Sequence, residues 1–86
     1  MNFTQMSQAI DDADQAQLSA LLAGVITKFD IRPTQSDSVQ RFLKAQALLT
    51  ELTVGDVTDD TLRRCREFLG HLALTDAEGR MEGLLA

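Results

Sequence analysis

The chain has 86 residues, of which 44% are hydrophobic and 24% are charged, and its formal net charge is −5. This length fits one small domain, and thirteen leucines supply enough apolar surface to exclude a disordered chain. No apolar run approaches the ~20 residues of a membrane span. Residues 1–5 lack the basic and apolar regions of a secretory signal. A single cysteine fits a reducing compartment, so we expect a cytoplasmic protein.

The charges are distributed in blocks. Acidic stretches at 1–27, 50–61 and 76–86 alternate with mildly basic stretches at 28–49 and 62–75. The acidic excess repels nucleic acid and anionic lipid at neutral pH. It therefore predicts that neither a nucleic acid nor a membrane is the main partner.

The apolar residues follow helical spacing almost throughout the chain, and the only proline is Pro33, in a connector. We therefore predict one all-α domain, a small bundle of four or five helices. The predicted helices cover about residues 4–28, 38–53, 60–73 and 76–85.

The first predicted helix has an interruption in its apolar register. A step of five residues, from Ala13 to Leu18, breaks the spacing of three and four. A capping-box pattern, Asp14-x-x-Gln17, lies at the same place. The sequence thus leaves two possibilities open, namely one helix bent near 12–14 or two successive helices.

Capping residues mark the expected helix starts. The candidates, in chain order, are Thr4, Ser36 or Asp37, Thr58 or Asp59, and Thr75 with Glu78 as its capping-box partner. The last helix is short and contains two glycines, Gly79 and Gly83. Alone in water it would be mostly unfolded, so it must dock on the rest of the chain or on a partner.

Two features indicate surfaces for another protein. A stripe of small residues, Ala16, Ala20 and Gly24, runs along the first helix and would let a second helix approach closely. The second predicted helix has an apolar face that is wider than one neighbour requires, so this helix is either central or in contact with a partner. The candidate apolar contact residues are Ala16, Ala20, Leu21, Gly24, Leu48 and Leu52.

Gly24 itself has two open interpretations. A glycine inside a helix costs ~1 kcal/mol relative to alanine, which suggests that packing requires its missing side chain. It is equally compatible with an incidental small residue that faces solvent.

The residues needed for catalysis are sparse. The only thiol, Cys65, and the only imidazole, His71, are six residues apart on one helix, which rotates them by about 240° onto different faces. Cys65 falls in the apolar stripe between Leu62 and Leu69, so we predict a buried, inert thiol. Neither metal-ligand spacing nor a glycine-rich phosphate loop is present. We predict a protein without enzymatic activity, cofactor or metal.

A helix-turn-helix is one functional hypothesis. The second and third predicted helices have suitable lengths, and Arg63, Arg64 and Arg66 lie early on the would-be recognition helix. Two aspartates, Asp59 and Asp60, open that helix and would meet the phosphates first. Arg63 and Glu67 also have the spacing of an ordinary ion pair. DNA binding is therefore the weakest of three hypotheses.

The leading hypothesis is a protein-protein interaction module, of adaptor, chaperone-like or regulatory type, that holds a partner helix in an apolar groove. We also expect a homodimer, formed through the first or the second predicted helix. The alternative is an acidic inhibitor or antitoxin, of the kind phages and plasmids encode, that blocks a basic nucleic-acid-binding surface. Its contact residues would be Asp11, Asp12, Asp59 and Asp60.

Overall fold

A computed structural model describes residues 1–29, 34–76 and 79–86 of the chain. These residues form five helices: α1 (Phe3–Asp11), α2 (Gln15–Lys28), α3 (Ser36–Val54), α4 (Asp59–Leu74) and α5 (Arg80–Leu85). The predicted all-α small bundle is confirmed. Pro33 and Glu78 lie outside the described residues. Within the described part of the chain, no helix combines the length and apolarity needed to cross a bilayer.

The first predicted helix is two helices, and the alternative of a single bent helix is wrong. Asp14 is the N-cap of α2, and its Oδ1 accepts a hydrogen bond from the backbone N–H of Gln17 at 2.8 Å. The side chain of Gln17 accepts one from the N–H of Asp14 at 2.8 Å. Because these two bonds satisfy N–H groups that a helix start leaves unpaired, the chain can end one helix and begin another here.

The prediction that Thr4 is the N-cap of α1 is wrong, because the helix starts before Thr4. Asn2 is the N-cap, and its Oδ1 accepts from the N–H of Gln5 at 2.9 Å. Gln5 returns the bond by accepting from the N–H of Asn2 at 3.0 Å. Thr4 lies in the first turn of α1, after the N-cap, so its hydroxyl is not the capping group.

The predicted N-cap is confirmed for α4 and wrong for α3. Thr58, one of the two expected residues, is the N-cap of α4 and exchanges hydrogen bonds with Thr61. The N-cap of α3 is Gln35, whose side chain makes no capping bond. Ser36 and Asp37 lie in the first turn of α3, so the expectation that one of them caps it is wrong. The reason is that the extended backbone ends at Gln35, one residue earlier than the polar side chains suggest.

The last helix is shorter than predicted. It begins at Arg80, directly after Gly79, whose backbone is left-handed with φ 73°, a conformation that glycine adopts without strain. Thr75, the expected N-cap, is instead the C-cap of α4, and its hydroxyl donates to the carbonyl of His71 at 3.2 Å. The expected start near residue 76 is therefore wrong.

All five helices contribute to the core, and most of its buried side chains belong to α2 and α4. The largest side chains that are fully buried are Ile10, Leu18, Leu22, Val25, Cys65, Leu69 and Met81. Met81 shows how α5 is held, because this short helix inserts one completely buried side chain into the core. Burial of such a side chain contributes roughly 1.5–3 kcal/mol, which a six-residue helix needs because it is not stable alone.

Candidate protein-binding groove

A groove with a volume of about 270 Å³ lies where α1, α2 and α5 meet. Its lining is mainly apolar and consists of Ala9, Ala13, Gln17, Ala20, Leu21, Leu84 and Leu85. Alanines from α1 and α2 form much of the lining, and two leucines of α5 complete it. Because alanine side chains are short, another helix can approach these walls closely.

The far end of the small-residue stripe is already covered by the chain itself. A Cβ atom added to Gly24 would lie 2.6 Å from Cδ2 of Leu84, which is closer than real Cβ contacts. Leu84 therefore packs directly on Gly24, and an added Cβ would require the end of this flexible side chain to shift. The helix that approaches Gly24 is α5, while Ala20 lines the groove and Ala16 is exposed.

The other predicted apolar contact residues lie deeper. Leu21 is buried and forms part of the groove lining. Leu48 and Leu52 belong to the hydrophobic core of the chain itself. The part of the α3 apolar face that contains them is thus packed intramolecularly. Ala9, Leu84 and Leu85 are not predicted from the sequence as groove residues, because nothing local indicates that α1 and α5 meet beside α2.

The junction of α1 and α2, which follows the groove residue Ala9, is acidic. Asp11 ends α1, Asp12 is its C-cap, and both are exposed. Asp12 accepts a hydrogen bond from Nε2 of Gln8 at 3.0 Å, which holds its carboxylate beside α1. The only basic side chain in α1 and α2 is Lys28, in the last turn of α2. An approaching cation would therefore meet a negative potential on this side of the bundle.

Two of the arginines of α4 are engaged in ion pairs on the surface of the chain. Nη1 and Nη2 of Arg64 donate to the two carboxylate oxygens of Glu51 at 2.9 and 3.0 Å. Arg63 pairs with Asp60 and, at 2.6 Å, with Glu67, which confirms the predicted pair. Hydrogen bonds from Arg64 lower the pKa of the Glu51 carboxyl, and those from Arg63 and Arg64 lower the pKa of Asp60.

The third arginine, Arg66, connects α4 to the junction of α1 and α2. Its Nη2 donates to the carbonyl oxygen of Ala13 at 2.8 Å. All three arginines that a helix-turn-helix would direct towards DNA thus contact groups of their own chain. Asp60 accepts hydrogen bonds from Arg63 and Arg64. Asp59 is exposed in the first turn of α4.

Cys65 and His71 do not form a catalytic couple. Cys65 is fully buried, as predicted, and His71 is exposed. Burial raises the pKa of the Cys65 thiol, which favours the protonated form over the nucleophilic thiolate. Among the residues that the structure describes, no group of histidine, cysteine and carboxylate side chains is arranged to hold a metal ion.

Searches of protein-family models, curated proteins and solved structures found no match to this chain. The described residues form a small bundle of five helices, with a mainly apolar groove near the acidic junction of α1 and α2. A functional assignment therefore depends on the chemistry of that groove.

Proposed function

We propose that the chain is a non-enzymatic protein-interaction module, adaptor or regulatory in role, that binds an amphipathic helix of another protein. The binding surface is the groove between α1, α2 and α5. The observation that carries this proposal is the mainly apolar lining of the groove, which has a volume of about 270 Å³ and includes Ala9, Ala20 and Leu84.

The small side chains in the groove lining favour a helix as the ligand. Packed helices lie 8–10 Å apart, and the shorter distances require small side chains at the contact. Ala9, Ala13 and Ala20 supply such side chains. A helix that presents apolar residues at intervals of three and four would place them between these alanines and the leucines of α5.

The charges around the groove specify the polar side of that helix. Asp11 and Asp12 are exposed beside the groove helices, and no basic side chain precedes Lys28. We therefore expect lysine or arginine residues to flank the apolar stripe of the partner. Such charges mainly accelerate association and select the orientation, while the apolar contacts supply most of the affinity.

The acidic-inhibitor alternative has one supporting observation, since Asp11, Asp12 and Asp59 are exposed. Asp60, its fourth contact residue, is hydrogen-bonded to Arg63 and Arg64. A basic partner would have to compete with both guanidinium groups for that carboxylate. A ligand in the groove would not have to displace an ion pair of the chain. The groove is therefore better supported than the acidic surface as the partner-binding site.

A defined peptide tests the proposal. The probe is a synthetic amphipathic helix of about five turns, made of leucine at helical spacing and lysine elsewhere. A matched peptide carries glutamate in place of lysine. We expect the lysine peptide to shift the backbone NMR resonances of the groove residues, and the glutamate peptide to bind at least about tenfold more weakly.

The matched variants are Ala20→Trp and Gln46→Trp. Ala20 lines the groove, so the indole fills it and should weaken peptide binding by about tenfold or more. Gln46 is exposed on α3, outside the groove lining, and its replacement should leave binding unchanged. Equal loss in both variants, or resonance shifts confined to other helices, would contradict the proposal. Loss on Asp11→Asn with Asp12→Asn, but not on Ala20→Trp, would favour the acidic inhibitor.

A further inference from the structure

The outward face of α3 carries an apolar stripe that the chain leaves uncovered. Leu43 is 51% exposed and Val54 is 79% exposed, and Ala47 and Thr50 are exposed between them. The four residues follow the spacing 4-3-4, so they share one face of the helix. We call these four residues the α3 stripe.

The two edges of the α3 stripe differ in charge. At 100° per residue, Lys44 and Glu51 fall together along one edge, seven residues apart. The opposite edge is formed by Val39 and Gln46, which carry no charge. The stripe therefore has one edge with a cation and an anion in sequence, and one neutral edge.

We infer that the α3 stripe binds the same stripe of a second copy of this chain, with the two helices antiparallel. In an antiparallel pair related by a two-fold axis, like edges meet. Lys44 then faces Glu51 of the second copy, and the axis generates the same pair again. In a parallel pair the charged edge would meet the neutral edge, so neither charge would gain a partner.

Both charged side chains are already positioned along that edge. Arg64 donates two hydrogen bonds to Glu51, whose side chain remains 43% exposed, so Lys44 of the second copy would share this carboxylate with Arg64. Nζ of Lys44 lies 5.9 Å from the centroid of the Phe68 ring, within cation–π range. These contacts lower the entropy lost when the intermolecular pairs form.

The expected dimer is weak. A helix of 19 residues is about 28 Å long, and one pair of such helices buries less than the ~1,600 Å² of a standard interface. We expect dissociation in the micromolar range, on the order of 10–100 µM. This interface is separate from the groove between α1, α2 and α5, so the two proposals can fail independently.

Sedimentation equilibrium from about 5 µM to about 500 µM tests the dimer. The wild-type chain should change from monomer to dimer across this range. Leu43→Glu should remain monomeric, because it replaces the largest side chain of the α3 stripe by a carboxylate that the partner stripe would have to bury. Leu74→Glu is the matched control, since Leu74 is 64% exposed on α4, and it should dimerise like the wild type. A wild-type chain that stays monomeric, or a Leu43→Glu variant that dimerises normally, overturns the inference.

A charge-swap experiment tests the antiparallel orientation. Lys44→Glu alone and Glu51→Lys alone each turn two attractive pairs into repulsive ones, and each should weaken dimerisation about tenfold. An equimolar mixture of the two variants restores an opposite charge at every pair, so it should form heterodimers with near wild-type affinity. Failure of the mixture to associate better than either variant contradicts the antiparallel arrangement.

Discussion

Cδ2 of Leu84 lies 2.6 Å from the position that a Cβ atom on Gly24 would occupy. This contact joins the last helix of the chain to the second, and it sets one end of the groove in which we place the partner helix. Because Leu84 is half-buried and its contact atom is the end of a flexible side chain, α5 can yield without unfolding the bundle.

The contact predicts a non-additive pair of substitutions. Gly24→Ala should change the free energy of unfolding by less than about 0.5 kcal/mol, because displacement of Leu84 offsets the ~1 kcal/mol gain in helix propensity. In a Leu84→Ala background the obstruction is gone, and Gly24→Ala should stabilise the chain by about 1 kcal/mol. Urea denaturation of the four proteins in the cycle measures both values. Equal effects in the two backgrounds would mean that Leu84 does not restrict Gly24.

Arg66 should stabilise the junction of α1 and α2. Arg66→Met removes the donor to the Ala13 carbonyl and should lower the free energy of unfolding by about 1–2 kcal/mol. The loss stays moderate because Nε of Arg66 is buried without a partner among the described residues, and the substitution removes that cost. Urea denaturation measures the change. Arg63→Met is the control, since Arg63 makes only exposed ion pairs, and it should have a clearly smaller effect.

Stability should fall in acid because of the arginine-paired carboxylates of α3 and α4. Glu51 and Asp60 have lowered pKa values in the folded chain, so the fold favours their charged forms. Their contribution is complete above the unfolded pKa values near 4 and is lost as the pH falls through the lowered folded values.

Urea denaturation between about pH 6 and about pH 2 measures this dependence. A double variant, Arg63→Met with Arg64→Met, removes the donors that lower both pKa values. Its stability should therefore decrease less steeply with falling pH than that of the wild type. Parallel pH profiles for the two proteins would show that these pairs do not contribute.

The thiol of Cys65 should be protected in the folded chain. It is fully buried and its pKa is raised by that burial, so modification requires an opening of the bundle. Reaction with an aromatic disulfide reagent should be at least about a hundredfold slower in native buffer than in denaturing urea. Rapid, complete labelling without denaturant would show that the thiol is accessible.

Local signals in the sequence predicted the parts of the fold that depend on neighbours in the chain. The start of α2 follows from Asp14 and Gln17, because a capping box joins residues three apart. The pair between Arg63 and Glu67 and the burial of Cys65 follow from helical periodicity in the same way. For these features, the residues that determine the structure lie within two turns of each other.

Periodicity identified apolar faces but could not decide which of them the chain itself covers. Leu48 and Leu52 appeared as candidates for a partner surface, and packing places them in the core. Leu43 and Val54 are exposed on the same helix. An apolar face becomes core or surface according to which helices pack on it, and that depends on all the connections of the bundle.

The sequence by itself determined the helical class, the place near residues 12–14 where the first predicted helix is interrupted, and the acidic character of that place. Only the tertiary structure decided that Leu84 covers Gly24, that Arg66 reaches Ala13, and that a groove lies between α1, α2 and α5. The physical reason is sequence separation. Caps and ion pairs one turn apart form from local geometry, whereas the groove combines residues from Ala9 to Leu85 that meet only when the whole core is packed.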